Sequence, residues 1–509
     1  MTEQGKPKGA TIAQKLRSVV VNSPWNVLAA VARVLWGFHV EGKENIPAEG
    51  PYIVSITEQG LLGTILSGYI SIVLLNKELD KHPKNALTFF QEDLFAISYF
   101  RSVNQSPKSR GKYRALLPHA AGQLSASLLE AYRVLLNKGL VILNPEGDAS
   151  YDGRPMPIGA ATPWMALRAA APILPVLTTI GVYEVFPRWS PRPSRKGRIK
   201  VVIGKPLKLA EQRLERVTDQ DIADASAKIR AEYDRIIYGP QGLDGWIGPV
   251  MRNNVTLSEP PKIEPPAMPL APLPPPDPRM TLGKHGLAQV LWQCPVCRTN
   301  ASLLHRRPRF KPQTLACQAC GTQWELTHQP GHDFRLKVVR GSDDLLGLDM
   351  PASTWYQEMN KGFRLNPIRV EGVALKDGEV VYLQAQAVKL VPHRPNPLFD
   401  SWTSGEAPRS QGTGRHQLAD WASLGEGKLL LTDQRLYWQG PQGELDFYWQ
   451  SVNAVYLFLA DVLGIKYQAA QYRFKLAKGL LPLEWLHHAG EMAKKAAAVD
   501  GHHVTVSHH

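Results

Sequence analysis

An α/β fold class is expected for the first half of the chain, as a sandwich of a mixed sheet with flanking helices. A small four-cysteine ribbon and a mostly β, barrel-like domain are expected to follow. Three observations predict this order. Apolar runs of strand length alternate with helix-length stretches up to about residue 240. Two Cys-x-x-Cys pairs, Cys294/Cys297 and Cys317/Cys320, stand nineteen residues apart. From about Ser342 onward the chain breaks into short strand-like runs separated by turn residues. At 509 residues it exceeds what one core can organise, so two to four domains are expected.

In chain order, residues 1–29 begin an amphipathic helical region that runs through Ile12–Phe38, with Trp25 and Trp36 beside Lys15, Arg17 and Arg33. That pattern suits an interfacial helix pair, aromatic side chains in lipid and cations at phosphates, and equally two helices packed on the body. Pro51–Ser55 reads as the first strand, Ala86–Phe90 as another, and Gln123–Asn137 as a helix feeding the strand Leu140–Leu143. The longest apolar run, Leu61–Leu75, is broken by Gly63, Thr64, Ser67, Gly68 and Ser71. It falls short of the roughly 20 residues a spanning helix needs, so a buried core helix is expected. Leu140–Leu143 runs straight into Asn144-Pro145, and Pro145-Glu146-Gly147-Asp148 turns the chain at the strand's carboxyl end. Open α/β sheets place their ligands there. Ala160–Ala171 reads as a helix and Ile173–Ile180 as a second buried strand.

The string from Gly139 to Pro206 resembles the third and fourth sequence blocks of the glycerophospholipid acyltransferases of lysophosphatidate (1-acylglycerol-3-phosphate) type. Their pattern is a strand ending in Phe-Pro-Glu-Gly-Thr-Arg-Ser, a glycine-bearing loop, a small-residue helix and Pro-x-x-Pro before a strand. Pro145, Glu146, Gly147, Ser150, Gly153, Pro172 and Pro175 fit it, Gly204-Lys205-Pro206 matches a later turn, and His39–Pro47 resembles the lead into the first strand. The resemblance covers about residues 30–240 and implies an acyltransferase-like domain over 30–250. It further implies transfer of an acyl group from acyl-CoA or acyl-carrier protein to a lysophospholipid hydroxyl, peripherally on the cytoplasmic face of the cell membrane.

Such transfer needs a base for the hydroxyl proton and cations for the substrate phosphate. In the family the base is the histidine of an Asn-His-x-x-x-x-Asp block after the first strand. Here Thr57 or Glu58 stands at the histidine's place and Leu62 or Gly63 at the aspartate's. Gln105 stands where the second block has an arginine, with Arg101, Lys108 and Arg110 nearby, while Asp148 and Ala149 replace the threonine and arginine of the third block. Glu58 is therefore the candidate substitute base, and Glu146, Gly147, Arg101 and Arg110 are the candidate substrate-binding residues. Losing general-base assistance alone costs about 10²–10⁴ in rate, and members of a catalytic unit fail together. Impaired acyl transfer is expected. The alternatives are an atypical active phospholipid acyltransferase using another base, and a non-catalytic scaffold that binds lipid or nucleic acid.

The formal charge of +14 suits an anionic partner. The loop Arg188–Lys200 carries six cations, one tryptophan and no acid, which favours contact with anionic phospholipid head groups; nucleic acid is not expected. The sequence opens with no cleavable signal pattern, and four cysteines gathered in one segment leave none for a disulfide framework, which together argue for a reducing, cytoplasmic setting. The proline-rich stretch within 251–283 reads as a semi-rigid linker. Over 284–340 the two knuckles have the spacing of a four-cysteine zinc ribbon, in which four thiolates close the ion's coordination and leave it structural. The basic run Arg306–Lys311 between them reads as an exposed β-turn, and His328/Asp333 as a chance His-x4-Asp spacing. In 341–509, strands are expected at Arg369–Leu375, Val380–Leu383, Lys428–Thr432, Arg435–Gln439, Leu445–Tyr448, Val462–Lys466 and Gln471–Leu476, before a helix at Leu483–Lys495. The Leu-Thr-Asp-x-Arg-Leu signature at Leu431–Leu436 resembles that of pleckstrin-homology/GRAM-like barrels, which implies a lipid- or protein-binding module.

Overall fold

Among the described residues, the computed structural model forms three sheets with helices packed on and between them. It describes residues 27, 29–57, 86–89, 113–116, 124–146, 150, 152–187, 189–190, 193–194, 197–263, 286–308, 311–361, 365–392, 424–458, 462–468, 470–477, 480–501 and 504–508.

In the first sheet the strands lie in the order β1 (His39–Glu41), β7 (Lys200–Ile203), β6 (Ile173–Ile180), β2 (Tyr52–Thr57), β5 (Leu140–Leu143), β3 (Ala86–Phe89) and β4 (Tyr113–Leu116). Strands β2 to β6 run parallel and β7 turns back against β6, so the sheet is mixed. Every residue of β2 and β5 is buried, as expected of central strands covered on both faces. Their side chains alternate between two cores. Ile53, Val141 and Leu143 face α2 (Leu124–Leu136), α3 (Ala161–Ala169) and α4 (Asp219–Tyr238), while Tyr52, Val54, Leu140 and Ile142 face α1 (residues 29–36). Helix α4 starts at a capping box between Thr218 and Asp221, and buries Ala225, Ile229 and Tyr233 at four-residue spacing. The expected core helix Leu61–Leu75 lies outside the described residues.

The second sheet has the order β10 (Leu303–Arg306), β11 (Gln313–Cys317), β12 (Gln323–Thr327), β13 (Arg335–Arg340), β14 (Leu348–Pro351), β8 (Val250–Arg252) and β9 (Val255–Leu257). Its last two strands therefore precede the proline-rich stretch. Asn253 and Asn254, both left-handed, make the two-residue turn between them, so the stretch expected as linker from 251 opens with a hairpin. At its other end the unit continues past 340 into β14 and α5 (Ala352–Lys361).

The third sheet has the order β18 (Gly443–Tyr448), β17 (Arg435–Gly440), β16 (Gly425–Thr432), β15 (Val381–Pro392), β21 (Ala470–Lys475), β20 (Val462–Tyr467), β19 (Val452–Phe458) and β22 (Thr505–His508). The expected barrel is not closed: β18 and β22 are the two edges among the described residues. The twelve-residue β15 is bulged twice, pairing β16 along its length and β21 only near its end, so it joins two meanders as an open sheet. The strand expected at Arg369–Leu375 is irregular, because Gly372 turns the chain at φ +68° and only the neighbouring Ile368 bridges to Val381. Helix α6 (Pro482–Asp500) covers β19 and buries Trp485. One continuous apolar core runs from Tyr183, Trp189 and Trp246 through Trp292, Trp324 and Trp355 to Trp485.

Candidate functional site

Strands β2 and β5 are parallel neighbours, so their carboxyl ends open side by side. At the end of β5, Asn144 Oδ1 accepts from the Glu146 N–H at 3.0 Å, and Gly159 N–H bonds Pro145 O at 2.8 Å as the loop returns. Asp152 Oδ1 accepts from Ser150 Oγ and Arg154 N–H, each at 3.0 Å. Gly153 sits at φ +84°, with the Tyr183 ring 2.5 Å from where a Cβ would stand, which explains the glycine. These bonds build the turn that the sequence marks.

The side chains that fill it come from α4. Arg230 Nη2 donates to Glu146 Oε1 at 3.1 Å, and the Glu146 side chain is 1% exposed. One turn on, Tyr233 OH and Ser55 Oγ share a short hydrogen bond. Arg230 Nη1 and Asp234 Oδ1 stand 3.9 Å apart, beyond a direct hydrogen bond. Burial pushes the Glu146 carboxyl up to about 7, against the pull of Arg230 and the Met156 N–H. Burial also raises Asp234, again opposed by Arg230. A carboxyl poised there can hold or release a proton at neutral pH. Among the described residues the groups acting on Glu146 include no histidine.

Of the candidate base and substrate-binding residues, Glu146 is the one that lies among the described residues. Glu58, Leu62, Gly63, Arg101, Gln105, Arg110, Gly147 and Ala149 lie outside the described residues, and Thr57 ends β2 fully buried. Arg230, Tyr233 and Asp234 were missed. Their only signal is a tyrosine within the buried stripe of an amphipathic helix, flanked by Arg230 and Asp234 beside it.

The second candidate is a metal centre. The four Sγ atoms of Cys294, Cys297, Cys317 and Cys320 all lie within 4.8 Å of one another, with Cys294–Cys320 at 3.9 Å and Cys297–Cys317 at 3.7 Å. A tetrahedron with Zn–S bonds of about 2.3 Å has edges of about 3.8 Å, so the donor set fits zinc. Each knuckle turns back through a left-handed residue, Arg298 at φ 59° and Gly321 at φ 76°. The hydroxyl oxygens of Thr299, Ser302 and Thr322 stand 3.2–3.4 Å from the Sγ atoms of Cys297, Cys317 and Cys320, and Ser302 gives its own proton to Thr299 O at 2.8 Å.

Two sequence readings change at the contact between the first and second sheets. Trp189, expected at lipid head groups, is 3% exposed. It donates from Nε1 to Tyr183 OH at 3.3 Å, meets Phe334 and His305 edge-on, and carries the Arg307 guanidinium over its ring. Arg307, expected in an exposed turn, is partly buried there and bonds Trp189 O at 3.1 Å. His328 stacks on Phe334 with centroids 4.2 Å apart, while Asp333 accepts from Ser353 N–H and Oγ. That pair is packing, as its context in the sequence implied.

In the third sheet the Leu-Thr-Asp-x-Arg-Leu signature has a structural cause. Arg435 forks onto both Glu379 oxygens at 2.8 and 2.9 Å and also reaches Asp446. Thr432 Oγ1 donates to Glu379 and accepts from the Gln434 and Arg435 N–H groups, closing the turn.

No protein-family model matches the chain, and no curated protein matches it. Among solved structures, it is similar to the 1-acyl-sn-glycerophosphate (LPA) acyltransferase of Thermotoga maritima at 21% identity and a TM-score of 0.29, covering 44% of this chain and 83% of that one. A likeness of that score carries no weight for fold or function. No described helix is long and apolar enough to cross a membrane.

Proposed function

We propose that the chain is a glycerolipid-binding protein built on an acyltransferase-type scaffold, held peripherally on the cytoplasmic membrane face, with acyl transfer to lysophosphatidate impaired. The carrying observation is the strand-end turn: it keeps Glu146 buried at the carboxyl edge of a mixed sheet, yet spends its carboxylate on Arg230. The histidine base and its orienting aspartate are absent from the sequence window Thr57–Gly63, where Glu58 is the one acid. Peripheral attachment is supported by α1, whose Val31, Val34 and Leu35 form an exposed apolar stripe opposite the buried Ala29, Ala32 and Trp36. The charge of +14 favours an anionic surface beneath it. The cysteine centre holds structural zinc. The last domain is read as a pleckstrin-homology/GRAM-like binding module, a reading supported by its four-strand and three-strand meanders joined through β15 and followed by α6.

The test is a turnover assay with lysophosphatidate and either acyl-CoA or acyl-carrier protein, beside flotation of the chain on anionic and neutral vesicles. Binding to anionic vesicles without sustained turnover is expected. Turnover that Glu58→Ala abolishes would instead make the chain an atypical active acyltransferase, and salt-sensitive binding to DNA without binding to vesicles would overturn the lipid reading.

A further inference from the structure

Helix α5 is held at both ends by side chains from elsewhere in the chain. At its start, Asp333 Oδ2 accepts from the Ser353 N–H at 3.0 Å and from Ser353 Oγ, and the Ala352 N–H donates to Phe334 O at 2.6 Å. At its end, where the last carbonyls of a helix lack partners, Arg298 Nη1 donates to Glu358 O at 3.1 Å and to Met359 O at 3.3 Å. An acid at the first turn and a cation at the last both suit the helix dipole. Arg298 is the left-handed residue of the first cysteine knuckle, next to Cys297, and the Gln293 N–H beside Cys294 meets Met359 Sδ at 3.4 Å. The last turn of α5 thus rests on the segment that carries two of the four thiolates.

The first turn rests on the other candidate site. Thr354 Oγ1 accepts from Arg154 Nη2 at 3.4 Å. Arg154 belongs to the loop of residues 152–159, whose Met156 N–H bonds the Glu146 carboxylate and whose Gly159 N–H bonds Pro145 O. The Tyr183 ring lies against Gly153 of the same loop, and Phe334 meets that ring edge-on at 5.8 Å. Met359 is five residues beyond Thr354, about 7.5 Å along the helix. Trp355 and Met359 are fully buried, and Trp355 Nε1 donates to Leu336 O at 3.1 Å, so α5 is keyed into the second sheet and moves as a unit. Without an ion, the four thiols have only weak S–H hydrogen bonds to hold the knuckles, whereas coordination supplies folding free energy.

We infer that α5 transmits the metal state of the cysteine centre to the strand-end loop. With zinc bound, the helix holds residues 152–159 against Glu146; without it, the loop is released. The path is contiguous, from the first knuckle through α5 to Arg154 and Gly153. Zinc then controls a second site as well as its own ribbon. The inference bears on the strand end named in the proposed function but needs no ligand there, so failure of the lipid reading leaves it standing.

The experiment is hydrogen–deuterium exchange of the full zinc-loaded chain, read by peptide mass spectrometry before and after chelation. Chelation should speed exchange over residues 286–340 and 352–361, and over 152–159 by at least about tenfold. The Arg154, Met156 and Gly159 amides report on that loop, since each is hydrogen-bonded in it. Strands β5 and β6 pair with β2 and should keep their protection. Thr354→Val leaves the cysteines untouched. It should speed exchange over 152–159 roughly two- to fivefold, with zinc still bound and 286–340 still protected. Chelation that opens 286–340 and leaves 152–159 protected overturns the inference, while the zinc site and the proposed function stand. A rise of equal size in β5 and β6 also overturns it, since the metal would then hold the whole fold. Unchanged exchange over 152–159 in Thr354→Val overturns it as well, because α5 would not be the link.

Discussion

At the cysteine centre, four donors come from two tight turns, and hydroxyls two residues along, at Thr299 and Thr322, complete their surroundings. At the strand ends, Glu146 obtains its partner from Arg230, 84 residues later on another element. Both sites sit where strands end, yet one is wired locally and the other through tertiary packing. Local wiring survives in a spacing rule. Long-range wiring leaves a motif whose partners have to be found in space, and that is where a scaffold can be kept while its chemistry changes.

The largest effect should come from breaking the local site. Metal analysis of the full chain should find one zinc per chain. Chelation, or Cys294→Ser with Cys317→Ser, should remove coordination worth about 10–16 kcal/mol and open residues 286–340 to proteolysis. A metal-free chain with unchanged protease resistance would mean the knuckles stand without an ion. Next, Arg435→Ala leaves Glu379 buried and unpaired, and should cost about 3–5 kcal/mol in urea denaturation. A loss under about 1 kcal/mol would reduce the signature to a turn motif.

Glu484 sharpens the comparison through pH. Burial raises its carboxyl to about 8, with Asn300 pulling the other way. A raised acid favours the protonated fold, so its penalty begins above the unfolded value near 4.5 and is complete above about 8. Glu484→Gln should therefore match the unmodified chain at pH 5 and exceed it by a few kcal/mol at pH 8.5; equal stability at both values would show the carboxyl to be solvated. His488 works in the opposite sense at low pH. Burial holds it down to about 4, so its stabilisation is lost as pH falls below about 6.5.

At the strand ends, Arg230→Gln should cost about 1 kcal/mol at pH 6, where Glu146 can stay protonated. At pH 8.5 the cost should be about 2–3 kcal/mol, relieved by adding Glu146→Gln. A cost independent of pH would deny the coupling. The smallest effect is Thr218→Ala, which removes the cap of the helix that carries Arg230 and should cost about 1 kcal/mol in thermal denaturation.

Much of the first sheet was legible because its strands are central. Leu140–Leu143 and Ile173–Ile180 are apolar runs bounded by turn residues, and they fold with those bounds. The hairpin Val250–Leu257 was not legible, since two left-handed asparagines beside a proline-rich stretch read as linker. The closed barrel failed for a different reason: bulges in β15 are set by packing against its neighbours and leave no local mark. Trp189 shows the same limit in a single residue. Among six cations it looks interfacial, but the aromatic faces of Phe334 and His305 that bury it lie more than a hundred residues away. At the site, Glu146 was legible from its turn, and Arg230 was invisible because an arginine on an amphipathic helix ordinarily faces solvent.

The central claim is that the scaffold retains its lipid site while transfer to lysophosphatidate is impaired. Single-turnover and steady-state acyl transfer by the full chain to lysophosphatidate, with vesicle binding measured on the same sample, tests it most directly. The account predicts bound protein and a rate at least about a hundredfold below that of an enzyme with an intact base. Sustained turnover at an ordinary enzyme rate of about 1–10³ per second would contradict it.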